Sequence, residues 1–119
     1  MANPNIAALT TINGNTQVQS ITTAATAIVT NSAASGKIIK INSLFISNID
    51  GVNAADITID LFRSSVAYKI VNTVSVVADT SFTAIDKTLS IYLLEGDTLR
   101  LTASVNSRLQ AVCSFEEIS

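Results

Sequence analysis

A two-residue hydrophobic period is the feature that most restricts what this chain can become. Ile57, Ile59 and Leu61 alternate with Thr58 and Asp60, and Leu99, Leu101 and Ala103 alternate with Arg100, Thr102 and Ser104. Successive side chains of a β-strand point to opposite faces, so each run reads as a strand with one buried face and Asp60 on the outer one. Leu109, Ala111, Cys113 and Phe115 repeat the pattern against Gln110 and Ser114, but Val112 breaks the polar side, and the last strand is expected to bury both faces. Residues 37–47 are apolar on both parities, with Ile39, Ile41 and Phe45 on one and Ile38, Leu44 and Ile46 on the other. Such a run is a central strand or one that changes faces at a bulge. Further strands are predicted at residues 17–22, 26–30, 57–62, 67–71, 73–77, 82–87 and 89–94.

Val, Ile and Thr make up about a third of the residues, a β-branched load that suits pleated surfaces better than helices. The Ala-rich stretch 22–27 is the one place where a helix competes, and Thr at three of its six positions disfavours it. Each of the four glycines, Gly14, Gly36, Gly51 and Gly96, sits beside Asn, Ser or Asp. Asn13-Gly14, Asp50-Gly51 and Glu95-Gly96-Asp97 are therefore expected as turns between strands. Eight or nine short strands in 119 residues predict a single all-β domain, 1–119, built as an antiparallel β-sandwich of jelly-roll-like form. Residues 1–12 carry no charged side chain and read either as an extended N-terminal arm docked on a neighbour or as an ordinary first strand.

Only 13% of the residues are charged, seven basic and nine acidic, for a net charge of −2. A thinly charged surface points to burial in a homo-oligomer or larger assembly, and the scattered basic residues argue against a nucleic-acid partner. The start Met1-Ala2-Asn3-Pro4 lacks the basic and apolar blocks of a secretory signal, and no run is apolar enough to span a bilayer. A soluble chain made in the cytosol, with no membrane partner, is expected. The single cysteine, Cys113, has no partner for an internal disulfide and reads as a small core residue.

The chain has no histidine, and its carboxylates fall in turns, along strands and at the tail rather than in facing pairs. No Gly-x-Ser-x-Gly elbow accompanies the serines. The sequence therefore assigns no catalytic residue, no cofactor and no metal, and predicts a protein that is not an enzyme. Three groups of residues are weaker candidates for a site. Asn48, Asp50, Asn53 and Asp56 cluster around Gly51 with oxygens that suit calcium, but their spacing is not that of an EF-hand and a loop explains them as well. Tyr68 and Tyr92 are the candidates for a glycan platform, and their apolar alternation predicts that they are packed instead. Arg63 and Lys69 could meet an acidic partner surface, the default being solvated charges; Lys37 and Lys40 would join them in any charged docking surface.

From Gly36-Lys37-Ile38-Ile39-Lys40-Ile41 through Asn48-Ile49-Asp50-Gly51 and Ala54-Ala55-Asp56-Ile57-Thr58-Ile59-Asp60-Leu61-Phe62-Arg63-Ser64, the chain resembles small structural proteins of tailed phages, especially those of marine cyanobacteria and other marine bacteria. The segments 93–103 and 109–119 are similar too, so the resemblance covers nearly the whole chain. It implies a β-sandwich and a place in the virion among other virion proteins, either as a head decoration or cement subunit on the major capsid protein or in the tail, neck or fibre. The matching strings are strand and turn patterns and carry over no catalytic residue.

Overall fold

The computed structural model describes residues 11–119; the expectation of an arm falls mostly on residues outside that range. Nine strands follow one another: β1 (Ile12–Ser20), β2 (Thr26–Thr30), β3 (Ile38–Asn48), β4 (Ala55–Arg63), β5 (Val66–Val76), β6 (Ser81–Ile85), β7 (Ile91–Leu93), β8 (Thr98–Ala103) and β9 (Leu109–Ile118), with a 3-10 turn at Lys87–Leu89. They form two sheets, one ordered β1-β9-β3-β6 with β7 also on β3, the other β2-β8-β4-β5. Every strand pair is antiparallel.

The pairings nest. β1 pairs with β9, β2 with β8, β3 with β6 and β7, and β4 with β5, so the chain is one long hairpin wound into two sheets, which is the jelly-roll arrangement. Its tip is the two-residue turn Ser64-Ser65, both at positive φ (51° and 62°), the backbone twist that matches a tight β-hairpin. Burial follows the period read from the sequence: Ile41, Leu44 and Ile46 of β3, Ile57 and Ile59 of β4, Leu99 and Leu101 of β8 and Leu109 and Cys113 of β9 fill the space between the sheets. β3 is both of the things its double apolar parity allowed. It is a central strand, and a register shift between Ile41 and Ser43 turns it over at Asn42, so that Ile39 and Ile41 face the core before the bulge and Leu44 and Ile46 after it.

Several expectations fail for identifiable reasons. Asn13-Gly14 is not a turn: Gly14 lies within β1 opposite Glu116 and lacks positive φ. Asp50-Gly51 lies in a loop, but one that carries the chain from one sheet to the other, and Gly51 also lacks positive φ. The runs 67–71 and 73–77 are one strand, β5, interrupted at Thr73, a β-branched residue held at φ 47°. The run 89–94 is shortened to β7 because Asp86 caps the 3-10 turn ahead of it, accepting from the Thr88 and Leu89 N–H groups at 2.9 and 3.2 Å. β9 does not bury both faces, since Val112 is exposed.

Candidate interaction surface

The charged groups singled out in the sequence are largely consumed inside the chain. Asp97, in the β7–β8 turn, is buried. Its Oδ1 accepts from Arg63 Nε at 2.8 Å, and its Oδ2 accepts from Arg63 Nη2 and from the Leu94 N–H. Burial raises the Asp97 carboxyl, but the bonds from Arg63 and Leu94 outweigh it and hold the group below the usual carboxylate range. Arg63 is thereby tied to its own chain rather than left for an acidic partner. Asp60 alternates outward as expected yet is only 1% exposed, because Arg100 from β8 folds over it, donating at 2.8 Å, with the guanidinium 4.0 Å above the Phe62 ring. A side chain on the outer face of a sheet is buried here by another side chain lying across it.

Asn48 and Asp50 of the cluster around Gly51 are equally committed, whereas Asp56, half-buried on β4, is bonded through its N–H to Ser104 Oγ at 2.9 Å. Asn48 Nδ2 donates to the Asn53 and Val76 carbonyls and its Oδ1 accepts from the Asp50 N–H. Asp50 Oδ1 accepts from the Val52 and Asn53 N–H groups, and Arg108 Nε lies 3.2 Å from Oδ2. The Asn53 and Val52 N–H bonds lower the Asp50 carboxyl. These are loop-closing contacts of the Asx type. No group of three or more His, Cys, Asp or Glu side chains suited to a metal occurs among the described residues. At the other crossover Asn31 does the same work, donating to the Lys37 and Leu93 carbonyls while Ser35 donates to its Oδ1. Asn31 carried no recognisable signal in the sequence. Every buried side-chain polar atom among the described residues is hydrogen-bonded.

Cys113 faces the core between Gln17 of β1 and Leu44 of β3, fully buried. Burial pushes its thiol up to about 12, so thiolate chemistry at neutral pH is suppressed. The tyrosines are not packed as expected: Tyr68 is 56% and Tyr92 40% exposed. Tyr68 stands on β5, the edge strand of its sheet, while Tyr92 alternates outward between Ile91 and the fully buried Leu93 of β7. Lys37 pairs loosely with Glu117 at 3.6 Å, and Lys40 is opposite both Glu116 and Tyr92.

Away from Lys40 and Glu116, the outer face of the larger sheet is mainly apolar and hydroxylated. Val18 of β1, Val112 of β9 and Phe45 of β3 stand side by side across the larger sheet, all exposed, Val18 by 72%. Next to them run Thr16, Ser114 and Ser43 on one side and Ser20, Gln110, Ser47 and Ser81 on the other. The Thr16–Ser114 and Ser47–Ser81 hydroxyls lie 3.2 Å apart. Beyond this stripe, β1 itself is exposed along both faces.

Neither a protein-family model nor a curated protein matches the sequence. Among solved structures the chain is similar in fold to one described under the words "Bacillus endospore appendages form a novel family of disulfide-linked pili", with a TM-score of 0.53 and 16% sequence identity over 90% of this chain and 85% of that one. At that identity the likeness concerns the two-sheet sandwich alone.

Proposed function

We propose that the protein is a non-enzymatic structural subunit of a tailed-phage virion, made in the host cytoplasm, that works by protein–protein contacts, most specifically as a head decoration or cement subunit on the capsid. A tail, neck or fibre position is the nearest alternative within the same reading. The observation that carries the proposal is the character of the surface. Its buried carboxylates, Asp60 and Asp97, are occupied by Arg100 and Arg63, while the large sheet offers a Val18–Val112–Phe45 stripe in a field of hydroxyls. Apolar area with few charges is what an assembled subunit buries. The resemblance to phage structural proteins supplies the particle, and the pilus subunit of similar fold is a precedent for such a sandwich in a polymer. The disulfide linkage named for those pili has no ready counterpart here, because the one cysteine, Cys113, is enclosed in the core; the contacts are non-covalent.

The exposed Tyr68 and Tyr92 favour one second reading, a receptor- or glycan-binding module. Cryo-EM density of the intact particle, with glycan-array binding by the free protein, separates the two. Because apolar contacts persist where charge contacts are screened to about 3 Å at 1 M salt, the subunit should stay on particles from roughly 0.1 to 1 M NaCl. Release of folded monomer at high salt would overturn the apolar-contact reading and return attention to Lys37, Lys40 and Lys69.

A further inference from the structure

Sheet edges offer unpaired N–H and C=O groups to any passing strand, and proteins commonly blunt them with bulges, charges or shortness. Three of the edges here are blunted in one of these ways. β5 skips register twice, between Ile57 and Ile59 and between Ile59 and Asp60, and carries Lys69; β2 has five residues and a shift at Ala27/Val29. β6 has five residues and pairs with β3 across a shift at Leu44/Phe45, while β7 has three residues. β1 differs. It pairs with β9 over nine consecutive residues without a shift, contains no charged residue and no proline, and has no strand on its far side among the described residues.

The direction of its free groups follows from the ladder. Thr11 and Ser119 exchange both backbone hydrogen bonds, and Ile21 N–H donates to Leu109. In an antiparallel pair such positions alternate, so the odd residues of β1 face β9 and the even ones, Ile12, Gly14, Thr16, Val18 and Ser20, aim their N–H and C=O groups outward. The Thr16 N–H is accordingly satisfied by the Asn15 side chain at 2.8 Å rather than by β9.

We propose that the β1 edge is a homodimerisation site, at which a second copy's β1 pairs antiparallel about a two-fold axis at Thr16, joining the larger sheets of two subunits into one. The reasons for a second copy, rather than another partner, are in the strand. Pairing about Thr16 sets even residues against even ones, as the outward groups require: Thr16 meets Thr16, Gly14 meets Val18 and Ile12 meets Ser20. Val18, the most exposed residue of the stripe, then lies over Gly14, where no atom is within 4 Å of a would-be Cβ and no positive φ calls for glycine. On the opposite face Asn13 meets Gln19 and Asn15 meets Gln17, amide against amide, and no like charges are brought together. A nine-residue strip is about 30 Å long at 3.4 Å per residue and one strand wide, a small contact that makes the dimer concentration-dependent. The proposal deepens the assembly reading and rests on it only for the premise that the chain works in copies.

Cross-linking of the full chain tests it. In the paired dimer the two Thr16 Cα atoms are about 5.5 Å apart, within disulfide range, whereas the two Ser20 positions are roughly 27 Å apart at the strand's rise per residue. Thr16→Cys should form a disulfide-linked dimer on mild oxidation and Ser20→Cys should not, with Cys113 too buried to interfere. Thr16→Pro, which removes an outward N–H without touching the β9 ladder, should weaken self-association at least tenfold by sedimentation while leaving the thermal midpoint of the monomer within a few degrees. Exchange protection of the Gly14, Thr16 and Val18 amides should rise with protein concentration. Equal cross-linking at 16 and 20, none at 16, or protection unchanged on dilution would each overturn the proposal. A strictly monomeric protein that still occupies its particle would refute this dimer and leave the assembly reading standing.

Discussion

Replacing Asp97 with alanine should cost about 2–3 kcal/mol. The carboxylate accepts from Arg63 Nε at 2.8 Å, from Arg63 Nη2 and from the Leu94 N–H at 2.8 Å, and thereby ties the end of β4 to the turn before β8. Arg63's side chain is 42% exposed, so its share is that of a partly screened pair, about 1 kcal/mol. The Leu94 N–H loses its acceptor in a part-buried position, which adds roughly 1–2 kcal/mol. For a domain of this size that lowers the melting temperature by about 8–12 °C. Arg63→Ala should cost about 1 kcal/mol, and the double variant should cost less than the two added together, since both remove one contact. The pH dependence has a definite sign. The Asp97 carboxyl is lowered on folding, so its contribution is complete above the unfolded value near 3.9 and is lost as the pH falls through the folded value. The stability gap between wild type and Asp97→Ala, measured by urea unfolding at pH 7 and again near pH 2–3, should therefore narrow in acid. A gap under about 0.5 kcal/mol at pH 7, or strict additivity with Arg63→Ala, would refute the account.

Ser64→Asn with Ser65→Gly should stabilise the protein by about 1 kcal/mol in thermal melts, because both positions hold positive φ that serine tolerates poorly; no change would mean the turn is unstrained. Gly96→Val and Gly36→Val should both destabilise by about 1–2 kcal/mol through backbone strain, since φ is +90° and +70° and neither added Cβ meets an atom within 4 Å. A loss confined to Gly96 would contradict that parity. Cys113 should resist maleimide in the folded protein at pH 7 and react fully in denaturant, and Cys113→Ala should cost about 1 kcal/mol of packing with assembly intact. Rapid native labelling would show that the β1–β9 region opens.

The period of two determined most of the fold. Ile57, Ile59, Leu99, Leu101, Leu109 and Cys113 are core residues because alternation on a strand leaves them one face to share, and that much is written locally. A bulge in β3 was one of the two readings its double apolar parity allowed, and only the pairing with β9 places it at Asn42. What local pattern could not carry is which strands lie beside which, and the surface depends on that. Val18, Val112 and Phe45 come from three distant segments and form one stripe only because β9 sits between β1 and β3. Asp60 is buried although its parity points outward, because β8 happens to bring Arg100 across it. Tyr68, with apolar neighbours in sequence, is exposed on the strand that ends its sheet, and Tyr92 is exposed on the outer face of β7 beside the buried Leu93. β1, polar on both faces and hence without a period, was only half legible as a strand; it is held by the β9 backbone ladder, a partner about a hundred residues away that no local pattern names.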